Sequence, residues 1–214
     1  MEDFLQQIRN DHSSFDKGKL NEMTGNDPLS FFRIWYKEAF NKQPERHAMS
    51  VSTASPEGKP SSRIVYLKEL NAEGFVFYTN YNSEKGKELE ENPAIAALFF
   101  WPELERQVRI EGITRKVSAA ESDEYFASRP RASQIGAWAS HQSEVLESRE
   151  QLEKRIYELA EQFPGNVPRP PHWGGYIIIP EKIEFWQGRP SRLHDRIVFE
   201  KDKANNWNIY RKNP

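Results

Sequence analysis

Apolar positions along the chain change their spacing several times, and each change marks an element. After Asp27-Pro28, residues Leu29, Phe32, Trp35, Tyr36 and Ala39 recur at helical spacing, so LSFFRIWYKEAF predicts a helix. Asp27 is suited to cap it and Pro28 to occupy its first turn. The period then shortens to two. Ala48–Ala54, Arg63–Lys68 and Gly74–Thr79 predict strands, the first two joined by the turn residues SPEGKP. Ser83 caps a polar helix, SEKGKELEEN, that Pro93 stops. Ala94–Trp101 reads as a continuous apolar strand. Arg106–Val117 reads as a long half-buried strand with Val108, Ile110 and Ile113 as its apolar points. Ala119–Ala127 and Glu147–Phe163 predict helices and Pro164–Pro171 a loop. Tyr176–Ile179, Ile183–Trp186, Arg196–Phe199 and Trp207–Tyr210 complete the strands.

Most neighbouring strands are joined by short turns, not crossover helices. That predicts an α+β fold, an antiparallel sheet or small barrel with helices added. Residues 1–26 are polar, with Phe4, Leu5, Ile8, Phe15 and Leu20 as sparse apolar points. They read as a short helix and a flexible arm, ahead of one domain over 27–214.

Composition narrows the classes. The 214 residues include no cysteine, which excludes disulfides, thiolate–metal sites and Cys nucleophiles. The N-terminus lacks a signal-like apolar core, and no apolar run approaches the roughly 20 residues that span a bilayer. A net charge of −2 speaks against a general nucleic-acid binder, so any anion site is local. The expectation is a cytoplasmic protein with neither nucleic acid nor membrane as partner. No Gly-x-Gly-x-x-Gly follows a strand, and no Walker, His-Glu-x-x-His or EF-hand pattern occurs.

Four stretches carry candidate chemistry. FWQGRPSRLHDRIVFEK, Phe185–Lys201, places Trp186, Arg189, Arg192, His194 and Arg196 around a Gly188–Ser191 turn, as a β-hairpin. Guanidinium forks, an indole wall and an imidazole suit a flat anionic ligand, although a solvated hairpin has the same local pattern. In Arg63–Lys68, alternation puts Arg63 and Lys68 on opposite faces unless a bulge or strand end intervenes. Around Tyr78–Lys85 a strand runs into a helix N-terminus, where free N–H groups, a Thr or Ser hydroxyl and Lys85 form a phosphate cradle. Glu84 opposes that reading, and an ordinary capped helix is the alternative. Tyr125 and Arg129 share a helix face ending near Pro130, with Ser133 a turn later. Phenol, guanidinium and hydroxyl together suit a phosphate monoester, whereas a helix surface followed by a turn needs no ligand. His194 and Asp195 are adjacent on a strand and so do not form a dyad.

In sequence order, RIVYLK, FYTNYNSEKGKEL, FFWPELERQVRIEG, YFASRPRASQIGAWASHQS and FWQGRPSRLHDR resemble the pyridoxamine 5′-phosphate oxidase family, from about Asp27 onward. The resemblance implies an FMN-binding split β-barrel and a homodimer with FMN at the subunit interface. It implies oxidation of pyridoxamine or pyridoxine 5′-phosphate by O2 to pyridoxal 5′-phosphate, giving H2O2, and NH3 from the amine. It assigns Arg63, Lys85 and Ser143 to the FMN phosphate and ribityl chain. The backbone of Ile64, Val65, Tyr66 and Leu67 and that of Tyr78 and Thr79 line the flavin. Gln107, Gln142, Trp186 and Arg196 supply further flavin contacts. Lys68, Tyr125, Arg129 and Ser133 resemble the substrate-phosphate clamp, and Lys68 also borders the flavin strands. Arg192 and His194 resemble the pair over the pyridine ring and are the candidate catalytic residues. No metal is implied. Three positions depart from the family pattern: Glu84 stands where Arg is frequent, His12 and Phe15 where an arm Arg and Tyr are frequent, and Glu45 where Asp is frequent.

Overall fold

The structure, a computed structural model, describes residues 14–20 and 25–214. The helix read into the N-terminal arm, and His12, lie outside the described residues. In chain order the elements begin with α1 (Pro28–Phe40), β1 (Ala48–Ala54), β2 (Pro60–Tyr66), β3 (Glu69–Leu70), β4 (Phe75–Asn80), α2 (Glu84–Glu91), β5 (Ala94–Trp101) and β6 (Arg106–Lys116). They continue with α3 (Ala119–Ser128), α4 (Arg131–Ala139), α5 (Arg149–Gln162), β7 (Trp173–Gln187), β8 (Asp195–Lys201) and β9 (Trp207–Arg211). The chain forms two compact units, one of His47–Leu98 with Ile110–Glu181, the other of the described residues through Arg46 with Phe99–Arg109 and Lys182–Pro214.

In the first unit the strand order is β2-β1-β5-β6-β7-β4-β3. The β1–β2, β1–β5, β3–β4 and β4–β7 pairings are antiparallel, and short turns join β1 to β2 and β3 to β4. Ser83 caps α2 by accepting from the Gly86 N–H, and Ser118 closes a full capping box with Glu121 on α3. Phe126, Ile135, Val167 and Trp173 form a buried cluster. In the second unit β8 pairs antiparallel with β7 and β9. Helix α1 starts where Asp27 accepts from the Leu29 and Ser30 N–H groups. Its buried stripe is Leu29, Phe32, Trp35 and Ala39, and Phe31 and Trp35 meet Phe185 edge-on at 4.5 and 5.3 Å.

Several expectations are corrected. Residues 131–139, to which the sequence pattern assigned no element, form helix α4, with Pro130 at its N-cap where a missing N–H costs nothing. The strands read at Tyr176–Ile179 and Ile183–Trp186 are one strand, β7. Pro180 falls between the last β4 rung at Ile178 and the first β8 rung at Lys182, so it breaks neither ladder. Ile113 lies on the exposed face of β6, and Thr114 takes its place inside, because 113 is out of phase with 108 and 110. Strand β5 is buried on alternate residues only. The short strand β3 had no apolar signal. The hairpin exists, but its connection runs from Gly188 to His194 through a 3-10 turn at Pro190–Arg192.

Candidate functional site

The first unit encloses a cavity of about 940 Å³. One wall is β2, whose Arg63, Ile64, Val65 and Tyr66 line it, and Lys68 reaches the same space. Strand β2 ends at Tyr66, and the Lys68 N–H bonds to the Val76 carbonyl. The strand end therefore lets Arg63 and Lys68 serve one cavity despite their alternating positions. Leu67 is buried, its N–H held by His47 at 2.8 Å, and does not line the cavity.

The β4–α2 corner supplies Tyr78, Thr79, Glu84 and Lys85. The Lys85 ammonium donates to Thr79 Oγ1 (3.1 Å), Ser83 Oγ (3.1 Å) and Gln142 Oε1 (2.9 Å). Burial, then the nearby Arg63 charge, push its pKa down to about 8. A cation at a helix N-terminus that already disfavours positive charge is matched to an incoming anion. Gln142 and Ser143 border the same space, and Ser143 holds φ 72°, a left-handed conformation uncommon outside glycine.

Tyr125 of α3, Arg129 at the α3 C-cap and Ser133 of α4 also line the cavity. Tyr78, Tyr125 and Trp173 stack, with Tyr78–Tyr125 centroids 4.0 Å apart and Tyr78–Trp173 centroids 5.5 Å apart. Arg129 lies 4.5 Å from the Trp173 ring centre, and its NH1 is buried with no hydrogen-bond partner. Burial lowers its pKa. A guanidinium nitrogen desolvated without an acceptor, on a cavity wall, is a site waiting for an anion. Burial also pushes the Tyr78 phenol up to about 12, so it stays a neutral donor.

The remaining expected residues belong to the second unit and are not among those lining this cavity: Gln107, Trp186, Arg192, His194 and Arg196. Trp186 and His194 lie 4.5 Å apart, and Phe15 meets each edge-on at 5.7 Å. His194 Nδ1 accepts from the Arg189 N–H at 3.1 Å, and desolvation followed by the Arg192 charge lowers its pKa. A neutral His194 thus carries its proton on Nε2. Asp195 instead accepts from the Leu20 N–H and pairs with Arg189 and Arg211, so no His–Asp dyad forms. Arg192 is exposed with φ 60°, and Ser191 has φ 57°. Two adjacent left-handed residues in a polar loop are strain of the kind found at ligand sites. Arg196 is held by both oxygens of buried Glu184, at 3.0 and 2.8 Å.

Trp173 and the Thr53–Ser61–Glu88 network behind Arg63 were not singled out in the sequence. Trp173 opens a strand in which nothing but its aromatic character marks it, and the network joins three distant segments.

Comparison with known proteins supplies independent findings. A family model described as pyridoxamine 5′-phosphate oxidase matches residues 36–163. A second, described as the pyridoxine 5′-phosphate oxidase C-terminal dimerisation region, matches residues 173–214. A pyridoxine/pyridoxamine 5′-phosphate oxidase of Paraburkholderia xenovorans is 51% identical, over 98% of this chain and 99% of its own. The crystal structure of PhzG from Burkholderia lata, in complex with tetrahydrophenazine-1-carboxylic acid, matches with a TM-score of 0.86 and 29% identity, over 92% of this chain and all of that one. A pyridoxamine 5′-phosphate oxidase-related, FMN-binding protein of Nostoc punctiforme matches with a TM-score of 0.72 and 13% identity, over 89% of this chain and all of that one, a likeness of fold.

Proposed function

The chain belongs to the pyridoxamine 5′-phosphate oxidase family, and on that premise we propose that it oxidises pyridoxamine and pyridoxine 5′-phosphate to pyridoxal 5′-phosphate with FMN and O2, as a homodimer with FMN at the subunit interface. The observation that carries this reading is one cavity bordered by four cations, Arg63, Lys68, Lys85 and Arg129. Cofactor and substrate each bear a phosphate, and we assign Arg63 with Lys85 to the first and Lys68 with Arg129 to the second.

FMN fits the donor set on the β2 and β4–α2 side. Arg63, Lys85 and the α2 N-terminus would hold its phosphate, and Ser143 and Gln142 its ribityl chain. The backbone of Ile64, Val65 and Tyr66 and that of Tyr78 and Thr79 would border its ring, and the family resemblance would add Gln107, Trp186 and Arg196 as further flavin contacts. The chemistry a bound flavin would supply is hydride acceptance from the substrate C4′ carbon and reoxidation by O2, giving H2O2. The protein's own part is binding and orientation. Lys68, Tyr125, Arg129 and Ser133 clamp the substrate phosphate, and the buried unpartnered NH1 of Arg129 finds its acceptor there. The stacked Tyr78, Tyr125 and Trp173 stiffen that clamp. Arg192 orients the substrate and balances charge at its ring hydroxyl. His194, neutral and protonated on Nε2, donates to the C4′ substituent and orients it.

Purified protein is expected to be yellow and to consume O2 with pyridoxamine 5′-phosphate. Flavin-loaded protein that turns over no such substrate, or that prefers a carboxylated substrate without phosphate, refutes the assignment. Arg192→Ala is expected to cut turnover far more than flavin affinity. Equal losses in both would mark a flavin carrier instead of an enzyme.

A further inference from the structure

At the cavity wall lies a closed polar network of which the proposed reaction uses only Arg63. Thr53 of β1 and Ser61 of β2 are direct cross-strand partners, which sets their hydroxyls side by side, 3.4 Å apart. Arg63, two residues beyond Ser61, projects to the same sheet face. Its NH1 donates to Thr53 Oγ1 and to the Ser61 carbonyl (3.2 Å), and its NH2 donates to Ser61 Oγ. Both hydroxyls then donate onward to one carboxylate, Glu88 of α2. Ser61 Oγ reaches its two oxygens at 2.8 and 2.7 Å, and Thr53 Oγ1 bonds Oε2. Glu88 also pairs with Arg63 NH2 directly, at 3.4 Å. Each hydroxyl accepts once from the guanidinium and donates once to the carboxylate, so the proton directions are consistent round the whole ring.

The network is shielded: the side chains of Arg63 and Glu88 are 19% and 12% exposed. Burial opposes ionisation of Glu88, but hydrogen bonds from Thr53 and Ser61 and the Arg63 charge outweigh it and leave its carboxyl below its ordinary pKa. Arg63 lines the cavity, whereas Glu88 and Thr53 do not. Among the described residues, the Arg63 Nε–H has no hydrogen-bond partner. The network therefore holds the outer nitrogens from behind and leaves one donor and the charge for the cavity.

We propose that Glu88, acting through the Thr53 and Ser61 hydroxyls, is a positioning residue that presets Arg63 to receive the phosphate of a bound flavin mononucleotide. This rests on the flavin reading above. Preorganisation matters because an arginine side chain otherwise loses much of its rotamer freedom on ordering. Here that ordering is complete before the ligand arrives. Glu88→Gln removes the charge and one of the two acceptor oxygens, so the ion pair with Arg63 is lost and the two hydroxyls must share a single acceptor.

The test separates the phosphate from the ring. Apoprotein is titrated with FMN and with riboflavin, following flavin fluorescence, and the ratio of the two Kd values measures phosphate recognition. Wild type is expected to favour FMN strongly, and a ratio near one would refute the flavin-phosphate reading itself and this inference with it. Glu88→Gln is expected to lower the ratio by about tenfold while riboflavin affinity holds within about twofold. Thr53→Val, which keeps the shape and removes one relay hydroxyl, is expected to lower it by a smaller factor and serves if Glu88→Gln does not fold. In an Arg63→Ala background, Glu88→Gln is expected to change the ratio no further. An unchanged ratio in Glu88→Gln and Thr53→Val, equal loss for both ligands, or additive effects with Arg63→Ala would overturn the positioning role and leave the flavin reading standing.

Discussion

Replacing Arg129 with Met separates binding from stability. Arg129 caps the C-terminal end of α3 through its backbone, its guanidinium lies 4.5 Å from the Trp173 ring centre, and its NH1 is buried without a partner. In the ligand-free protein two terms oppose each other. Losing the cation–π contact costs about 0.5–2 kcal/mol. Removing a buried donor that no acceptor satisfies returns about 1–3 kcal/mol. Met keeps the apolar stem against Trp173, so unfolding free energy is expected to stay within about 1 kcal/mol of wild type or to rise. With substrate the balance reverses, because a charge-assisted contact to phosphate contributes about 1.5–3 kcal/mol, or roughly 10- to 150-fold in kcat/KM. The assay is oxygen uptake with pyridoxamine 5′-phosphate and with unphosphorylated pyridoxamine, alongside urea denaturation of the apoprotein. Only the phosphorylated substrate is expected to suffer. A stability loss above about 2 kcal/mol, or equal kinetic losses on both substrates, refutes the reasoning by making Arg129 a structural residue.

Four further outcomes follow from the same geometry. Lys85, with its pKa near 8 in the free cradle, is already charged at lower pH, while above 8 a phosphate must bring a proton with it. FMN Kd is therefore expected to be flat from about pH 6.5 to 7.5 and to rise by up to tenfold per unit above 8, and a profile flat to pH 9.5 would contradict this. Because the unfolded lysine keeps its proton to about 10.5, this group makes apoprotein stability increase between pH 8 and 10.5, with no contribution to the pH dependence below that window. Glu184→Ala strands Arg196, whose side chain is 17% exposed, and is expected to cost about 3 kcal/mol in urea denaturation; a loss below about 1 kcal/mol would show the pair to be replaceable. Glu84→Gln removes a carboxylate from the cavity wall and is expected to tighten FMN about twofold at low salt, an effect that fades at high salt and is absent for riboflavin.

The legible parts of this chain share a physical basis. Asp27 and Ser83 cap their helices as read, because a cap is made with N–H groups two or three residues away. β1 and β5 have the boundaries their alternation and apolar content announce. Helix α4 was missed because its start depends on Pro130 acting as a cap and not as a stop, and the residues around it satisfy either reading. Strand β7 read as two because a proline inside a strand is harmless only where a neighbouring ladder has a gap.

Within the candidate site the same division holds. The residue types needed to bind phosphate, Arg63, Lys68, Lys85, Tyr125, Arg129 and Ser133, stood out in short motifs whose chemistry is local. Their convergence on one cavity did not, since alternation alone separated Arg63 from Lys68 until β2 ended at Tyr66. The bond from Lys85 to Gln142 spans 57 positions, and the ring linking Thr53, Ser61, Arg63 and Glu88 joins two strands and a helix. Sequence by itself determined caps, turns, strand phases and the kinds of charge available, because these depend on neighbours within a few residues. Tertiary structure alone decided which charges meet, which nitrogen stays unpartnered and which carboxylate holds which arginine, because strand register and helix packing set those distances.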